Sequence, residues 1–169
     1  MAEKMIDTRF TGAQLKPAKK QTIHGVVVTS IKENVDDRQS LSVYLKADDP
    51  FFAGFGQSYV TRTARGVVKA WHYHLRQTDI WYVATGKIKV GLFDARKESP
   101  TCGIANTMVM GGGANVTLAI PPGVFLGYAT ISEECTLINT TNVAYAPSDE
   151  YRVEWNDPRL PFDWGVENR

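Results

Sequence analysis

Short β-type segments separated by turn signals recur along this chain of 169 residues, and this pattern constrains its fold most strongly. The segments are rich in β-branched and aromatic residues, and several alternate apolar with polar side chains, as strands with one buried face do. No segment combines an apolar period of about 3.6 residues with capping residues at both ends. The predicted strands are residues 25–31, 41–45, 59–65, 66–74, 79–84, 87–94, 116–120, 125–131 and 136–141. Residues 79–94 are predicted to form a hairpin around Gly86. The sequence therefore predicts an all-β single domain, either a sandwich or a barrel.

Length, charge and cysteine content exclude several classes of protein. The formal net charge of +1 provides no field that would attract nucleic acid or an acidic membrane surface. The chain contains no run of about 18 apolar residues that could span a bilayer. Its two cysteines, Cys102 and Cys135, are too few for a disulfide framework. We expect a cytoplasmic protein with an N-terminal arm (residues 1–24), a β-barrel domain (residues 25–169) and an extended C-terminal wrap.

A His-Tyr-His segment is the strongest indication of chemistry. His72 and His74 are two of the three histidines, and side chains two residues apart on a strand point to the same face. Asp79 begins the next predicted strand and can lie beside them. An imidazole near its ordinary pKa can accept a proton at neutral pH. Two imidazoles and a carboxylate also suit a divalent metal such as Fe, Mn, Ni or Zn. A polar rim on an exposed sheet face is the alternative without chemistry.

The spacing from Gly66 through the two histidines to Gly86 resembles the first cupin motif, with Asp79 in place of its glutamate. The turn of the second cupin motif is present at residues 121–123, but Leu126 occupies the position of its histidine. Residues 36–164 further resemble the dTDP-4-dehydrorhamnose 3,5-epimerase family, a branch of the cupins. The segments that carry this resemblance are residues 66–73, 86–103, 120–127, 145–147, 155–158 and 163–164.

This resemblance implies a cupin-type β-barrel, or jelly roll, and a homodimer formed partly by exchange of an N-terminal strand. It implies that His72 is the general base that removes a proton beside the 4-keto group of a nucleotide sugar, with Tyr145 as a possible acid. Arg38 and Lys69 match positions that contact the nucleotide diphosphate. Further substrate-binding positions are Gln57, His74 and Asn139.

Several residues depart from the family pattern. Asp79 replaces a lysine expected near the keto oxygen, and Asn139 occupies the position of the usual catalytic tyrosine. The aspartate that orients the base in the family comes after the position of Trp164, and this chain ends at Arg169. These departures favour epimerisation at a single carbon, or a keto-isomerisation, over double epimerisation.

Three hypotheses follow for the function. The leading one is an epimerase or isomerase of a dTDP-4-keto-6-deoxy sugar that needs no cofactor. The second is a metal-dependent cupin, either a sugar isomerase or a dioxygenase, that binds a divalent metal ion through His72, His74 and Asp79. The third is a nucleotide-sugar-binding cupin without catalytic activity.

Overall fold

The computed structural model of the chain describes residues 16–17 and 22–165, and nearly all of its regular structure is β-strand. The one helical element in this described part is a 3-10 turn at Pro147–Asp149, and it holds no helix long and apolar enough to cross a bilayer. The strands are β1 (Lys16–Pro17), β2 (Val27–Ser30), β3 (Glu33–Val35), β4 (Ser40–Ser42), β5 (Gln57–Ala64), β6 (Val68–His74), β7 (Asp79–Thr85), β8 (Lys87–Asp94), β9 (Ile104–Gly111), β10 (Val116–Ile120), β11 (Val124–Thr130), β12 (Glu134–Thr141) and β13 (Glu150–Arg152). Apart from β1, residues 1–24 lie largely outside the described part of the chain.

The strands form two main sheets that pack face to face. The first sheet has the order β1-β9-β8-β11-β6-β13, the second has the order β2-β10-β7-β12-β5, and β3 and β4 form a separate hairpin. From β5 to β8 and from β9 to β12, successive strands alternate between the two sheets, which is the connectivity of a jelly roll. The predicted all-β single domain is therefore confirmed.

The predicted hairpin at residues 79–94 is wrong, because β7 and β8 belong to different sheets. β7 pairs with β10 and β12, whereas β8 pairs with β9 and β11. Gly86 forms the corner between the sheets with a φ of 80°, a value that favours glycine. A Cβ atom at Gly86 would lie 2.1 Å from the carbonyl oxygen of Glu134. Alternation of residues identifies both strands, but it cannot distinguish a hairpin from a corner.

Two apolar clusters hold the sheets in place. The larger fills the space between them and is built on fully buried residues such as Trp81, Leu92 and Leu118. The second lies on the outer face of the first sheet, around Trp71 and Phe93. Residues 153–164 run extended across this outer face and cover it with the side chains of Leu160, Phe162 and Trp164. Burying this outer face leaves the inner face of β6 to line the interior of the barrel.

Candidate active site

One end of the barrel interior is lined by polar side chains from both sheets. Trp71 and Tyr73 of β6 pack in the outer cluster, so the intervening His72 and the following His74 point inward. Their rings lie edge to face with centroids 5.6 Å apart. From the facing sheet come Asp79 of β7, Asn139 of β12 and Tyr59 of β5.

Both ring nitrogens of the buried His74 are engaged by the protein. Nδ1 donates to the main-chain carbonyl oxygen of Asp149 at 2.9 Å, since a carbonyl oxygen can only accept. Nε2 therefore accepts from the Gln77 side-chain amide nitrogen at 3.2 Å. Nε2 also lies 3.8 Å from Asp79 Oδ2. This histidine is held in one orientation and leaves no ring nitrogen for a substrate.

Asp79 and Asn139 continue this network from the buried His74 to the exposed Tyr59, and the space between these side chains and His72 is called the cavity below. Asp79 Oδ1 accepts from the Gln77 amide nitrogen at 3.0 Å and also from Asn139 Nδ2. Asn139 Nδ2 donates in addition to the Tyr59 hydroxyl oxygen at 2.8 Å. Burial raises the pKa of the Asp79 carboxyl, while His74 and the two amide donors oppose that shift.

The half-buried His72 differs from its neighbour. Within the described part of the chain, neither of its ring nitrogens makes a hydrogen bond with the protein. The pKa of His72 is lowered to about 3, chiefly by burial, and the charges of His74, Arg152 and Lys69 act in the same direction. Arg152 lies directly opposite His72 on β13 and is mostly exposed. The ring is therefore a neutral imidazole with its lone pair available in the cavity, beside two cations.

The remaining predicted site residues lie at varying distances from this cluster. Lys69 is exposed on β6, near His72. Gln57 accepts from the main-chain nitrogen of Tyr145 at 3.1 Å, and the exposed Tyr145 hydroxyl donates to Glu150 Oε2 at 3.2 Å. Arg38 lies apart from the cavity on the β3–β4 hairpin, where it pairs with its neighbour Asp36 at 3.1 Å.

Leu126 lies opposite His72 on β11 and belongs to the apolar cluster. The position of the second cupin motif's histidine is thus part of the hydrocarbon packing in this protein.

Sequence reasoning missed four residues of the site: Tyr59, Gln77, Asp149 and Arg152. The Asp149 carboxylate accepts from the main-chain nitrogens of residues 75, 76 and 77 at 3.1, 3.2 and 3.1 Å. It therefore fixes the loop that carries Gln77. Asp149 ends the 3-10 turn Pro147–Asp149 and Arg152 ends β13, and neither three-residue element is long enough to show a periodic pattern in the sequence. Tyr59 lies in a predicted strand, but nothing in the sequence of that strand indicates that its side chain faces the cavity.

The donor atoms do not form the metal site of the second hypothesis. Within residues 16–17 and 22–165, no group of three His, Cys, Asp or Glu side chains is arranged to hold a metal ion. His74 Nδ1 is directed at a carbonyl oxygen, and its Nε2 faces an amide donor. The residues His72, His74 and Asp79 therefore do not fit a resident metal in this arrangement.

The model of one protein family matches residues 20–169, and its description is dTDP-4-dehydrorhamnose 3,5-epimerase. The chain belongs to this family. It is 36% identical over 150 residues to the spore coat polysaccharide biosynthesis protein SpsL of Bacillus subtilis, an overlap of 87% of this chain and 99% of that protein. It is 35% identical over 150 residues to a probable low-salt glycan biosynthesis epimerase of Haloferax volcanii, covering 86% of this chain and 96% of that protein.

Among solved structures, the fold is similar to that of a dTDP sugar isomerase from Desulfovibrio desulfuricans, with a TM-score of 0.81 and 27% identity. That similarity covers 86% of this chain and 94% of the other. Membership of the dTDP-4-dehydrorhamnose 3,5-epimerase family confirms the expected class of enzyme, a nucleotide-sugar epimerase, and the cupin-type β-barrel that carries it.

Proposed function

We propose that this protein epimerises one carbon next to the 4-keto group of a 6-deoxy sugar carried on dTDP, with His72 as the general base. The observation that carries the proposal is the contrast between the two histidines. His74 has both ring nitrogens engaged, whereas the ring of His72 has a lone pair available in the cavity. The name of the Desulfovibrio desulfuricans relative, a dTDP sugar isomerase, supports the nucleotide part of the substrate.

Two cations beside the base suit an anionic substrate. Arg152 and Lys69 both lie near His72 and lower its pKa, and Arg152 also donates to Glu150 Oε1 at 2.6 Å. A guanidinium and an ammonium group bind a diphosphate through charge-assisted hydrogen bonds. They also stabilise the negative charge that develops on the keto oxygen when the neighbouring proton leaves. A bound diphosphate offsets these charges, which raises the pKa of His72 in the complex and strengthens it as a base.

The proposal needs no metal ion. Deprotonation next to a ketone requires a base and a positive group near the oxygen, and the described residues supply both. A chelator is therefore expected to leave the reaction unchanged. Loss of activity on chelation, with recovery on adding a divalent metal, would instead support the alternative based on His72, His74 and Asp79.

The β3–β4 hairpin supports a homodimer as the working form. It exposes the apolar side chains of Val35 and Leu41, which are 71% and 48% accessible, and it carries Arg38 away from the cavity of its own chain. Docking the hairpin on a second copy would cover these side chains and let Arg38 contact a nucleotide bound there. Light scattering on the purified protein tests the dimer. We also place the enzyme in the cytoplasm and in carbohydrate biosynthesis, and the names of the two curated relatives support the latter.

Deuterium exchange tests the base directly. The protein is incubated in D2O with dTDP-4-keto-6-deoxyglucose, and deuterium at sugar C3 and C5 is measured by NMR. His72→Asn should lower the exchange rate by about 10²–10⁴-fold, the usual contribution of a general base. The matched control is His24→Asn, because His24 is exposed and its main chain alone makes the hydrogen bonds observed there.

Binding of dTDP is measured alongside to show that each variant keeps a working pocket. A wild-type protein that binds dTDP but exchanges neither position would support the non-catalytic hypothesis and end this proposal. Full exchange by His72→Asn would remove His72 from the role of base.

A further inference from the structure

We propose that Tyr59 delivers the second proton, to the face of the sugar opposite His72. This inference rests on the proposed epimerisation and names the acid that the reaction requires. Inversion at a carbon needs one group that removes a proton and another that returns a proton from the other side. Asn139, at the position of the family's usual tyrosine, has no acidic proton to give.

The hydrogen bonds around Tyr59 leave its own proton available. Asn139 pairs with Tyr59 across β12 and β5, and its Nδ2 donates to the Tyr59 hydroxyl oxygen at 2.8 Å. The same Nδ2 donates to Asp79 Oδ1, and this acceptor fixes which end of the amide faces the tyrosine. The Tyr59 oxygen therefore acts as an acceptor in this contact, and its O–H hydrogen can point into the cavity. The side chain is 43% exposed, which places it within reach of an entering substrate.

Tyr59 and His72 come from opposite walls of the cavity. His72 lies on β6 in the first sheet, and Tyr59 lies on β5 in the second. A chain of contacts links them: Tyr59 to Asn139, Asn139 to Asp79, Asp79 to His74 at 3.8 Å, and His74 to His72 with ring centroids 5.6 Å apart. A sugar ring held between the two sheets would present one face to the imidazole and the other to the phenol.

Two other tyrosines near the cavity are less suited to this role. The Tyr145 hydroxyl donates its proton to Glu150 Oε2. Tyr128 is 3% exposed and packs edge-on against Trp81 inside the apolar cluster. Burial and the Asp79 charge also raise the pKa of Tyr59, which keeps the phenol protonated at neutral pH.

The proton transfers balance without a further reactant. His72 takes the proton from the carbon beside the ketone, and the electrons of that C–H bond form the enolate. The Tyr59 O–H bond then breaks, its proton joins the same carbon on the opposite face, and the keto group is restored. The phenolate regains a proton from water at the mouth of the cavity, and the imidazolium releases its proton to water.

The test separates proton removal from inversion, using dTDP-4-keto-6-deoxyglucose in D2O. Tyr59→Phe keeps the ring and removes the hydroxyl. We expect deuterium still to enter the recovered substrate with retention, because His72 can return a proton to the face from which it came. Formation of the inverted product should fall by about 10²-fold or more. The matched control is Tyr82→Phe, since Tyr82 stacks on Tyr44 on the outer side of β7 and should behave like the wild type.

Each other outcome overturns the inference in an identifiable way. Wild-type inversion by Tyr59→Phe would exclude Tyr59 while leaving the proposed function intact. Loss of both exchange and inversion in Tyr59→Phe, with dTDP binding retained, would show that the hydroxyl assists proton removal instead. If Tyr145→Phe or Tyr128→Phe alone exchanges without inverting, that tyrosine is the acid. Absence of exchange in the wild type would refute the proposed function itself.

Discussion

The two ends of the barrel interior are built by the same strands and have opposite chemistry. β12 contributes Cys135 and Leu137 to the apolar cluster, and two residues further along it contributes Asn139 to the polar network. β7 makes the same change between Trp81 and Asp79. Strand geometry alone places all these side chains inside. The abrupt change within one strand shows that the polar end is not required by the fold.

The hydrogen-bond network at the polar end is also incomplete. Among the described residues, the buried Oδ1 atom of Asn139 has no hydrogen-bond partner, although its residue is only 3% exposed. Leaving a buried acceptor unsatisfied costs about 1–3 kcal/mol. The apolar cluster is hydrocarbon apart from two buried polar atoms, Trp81 Nε1 and Tyr128 Oη, which likewise have no partner among the described residues. Of these atoms, only Asn139 Oδ1 lies in the polar network beside Asp79 and Tyr59, where an entering substrate hydroxyl is the kind of group that could satisfy it.

The largest effect on stability is expected at the apolar end. Leu118 is completely buried between the sheets. Leu118→Ala removes its contacts and leaves a cavity, so the free energy of unfolding should fall by about 3 kcal/mol in urea titrations. The kinetic constants of the folded fraction should stay close to those of the wild type, because no atom of the polar network is touched. A loss of unfolding free energy below about 1 kcal/mol would show that the apolar end tolerates substitution as well as the polar end does.

A smaller effect, of different origin, is expected at the polar end. The pKa of His72 is about 3 in the fold against 6.5 in the unfolded chain. Below pH 6.5 the unfolded chain therefore binds a proton that the folded chain does not, and stability falls as the pH falls. His72→Asn removes this contribution. The free energy of unfolding of the variant should therefore rise relative to that of the wild type by about 1.4 kcal/mol for each pH unit below 6.5. Between pH 6.5 and 5 the gain should reach about 2 kcal/mol in urea titrations.

Comparing the two proteins at each pH cancels the groups that titrate in both. Above pH 6.5 the difference in free energy of unfolding between the wild type and His72→Asn should be constant. Leu118→Ala should follow the wild-type pH dependence, since it changes no titratable group. A parallel course of wild type and His72→Asn would mean that His72 is exposed to water in the folded protein.

The sequence predicted the features that repeat and missed those that depend on a single contact. Alternation located most strands and placed His72 and His74 on one face. The corner at Gly86 was predicted wrongly, because the partners of β7 and β8 are distant in the sequence. Tyr59 was missed because its role depends on Asn139, eighty residues away. The family resemblance led to Tyr145 instead, whose hydroxyl donates to Glu150.

The smallest effect concerns the loop that supports the polar network. Asp149 accepts three main-chain hydrogen bonds from residues 75–77 through both carboxylate oxygens. Asp149→Asn replaces one acceptor oxygen by a donor, which leaves at least one of these nitrogens without its partner. The free energy of unfolding should fall by about 1 kcal/mol, the net value of a typical hydrogen bond.

Because this loop carries Gln77, which donates to both His74 and Asp79, the turnover number should also fall. Asp157→Asn is the matched control for stability, since Asp157 caps an exposed turn by accepting from Arg159. The free energy of unfolding of that variant should lie within about 0.5 kcal/mol of the wild-type value. If Asp149→Asn lowered stability while turnover stayed unchanged, the orientation of His74 would not depend on this loop. The boundary between the polar and apolar ends would then be set by the strands alone.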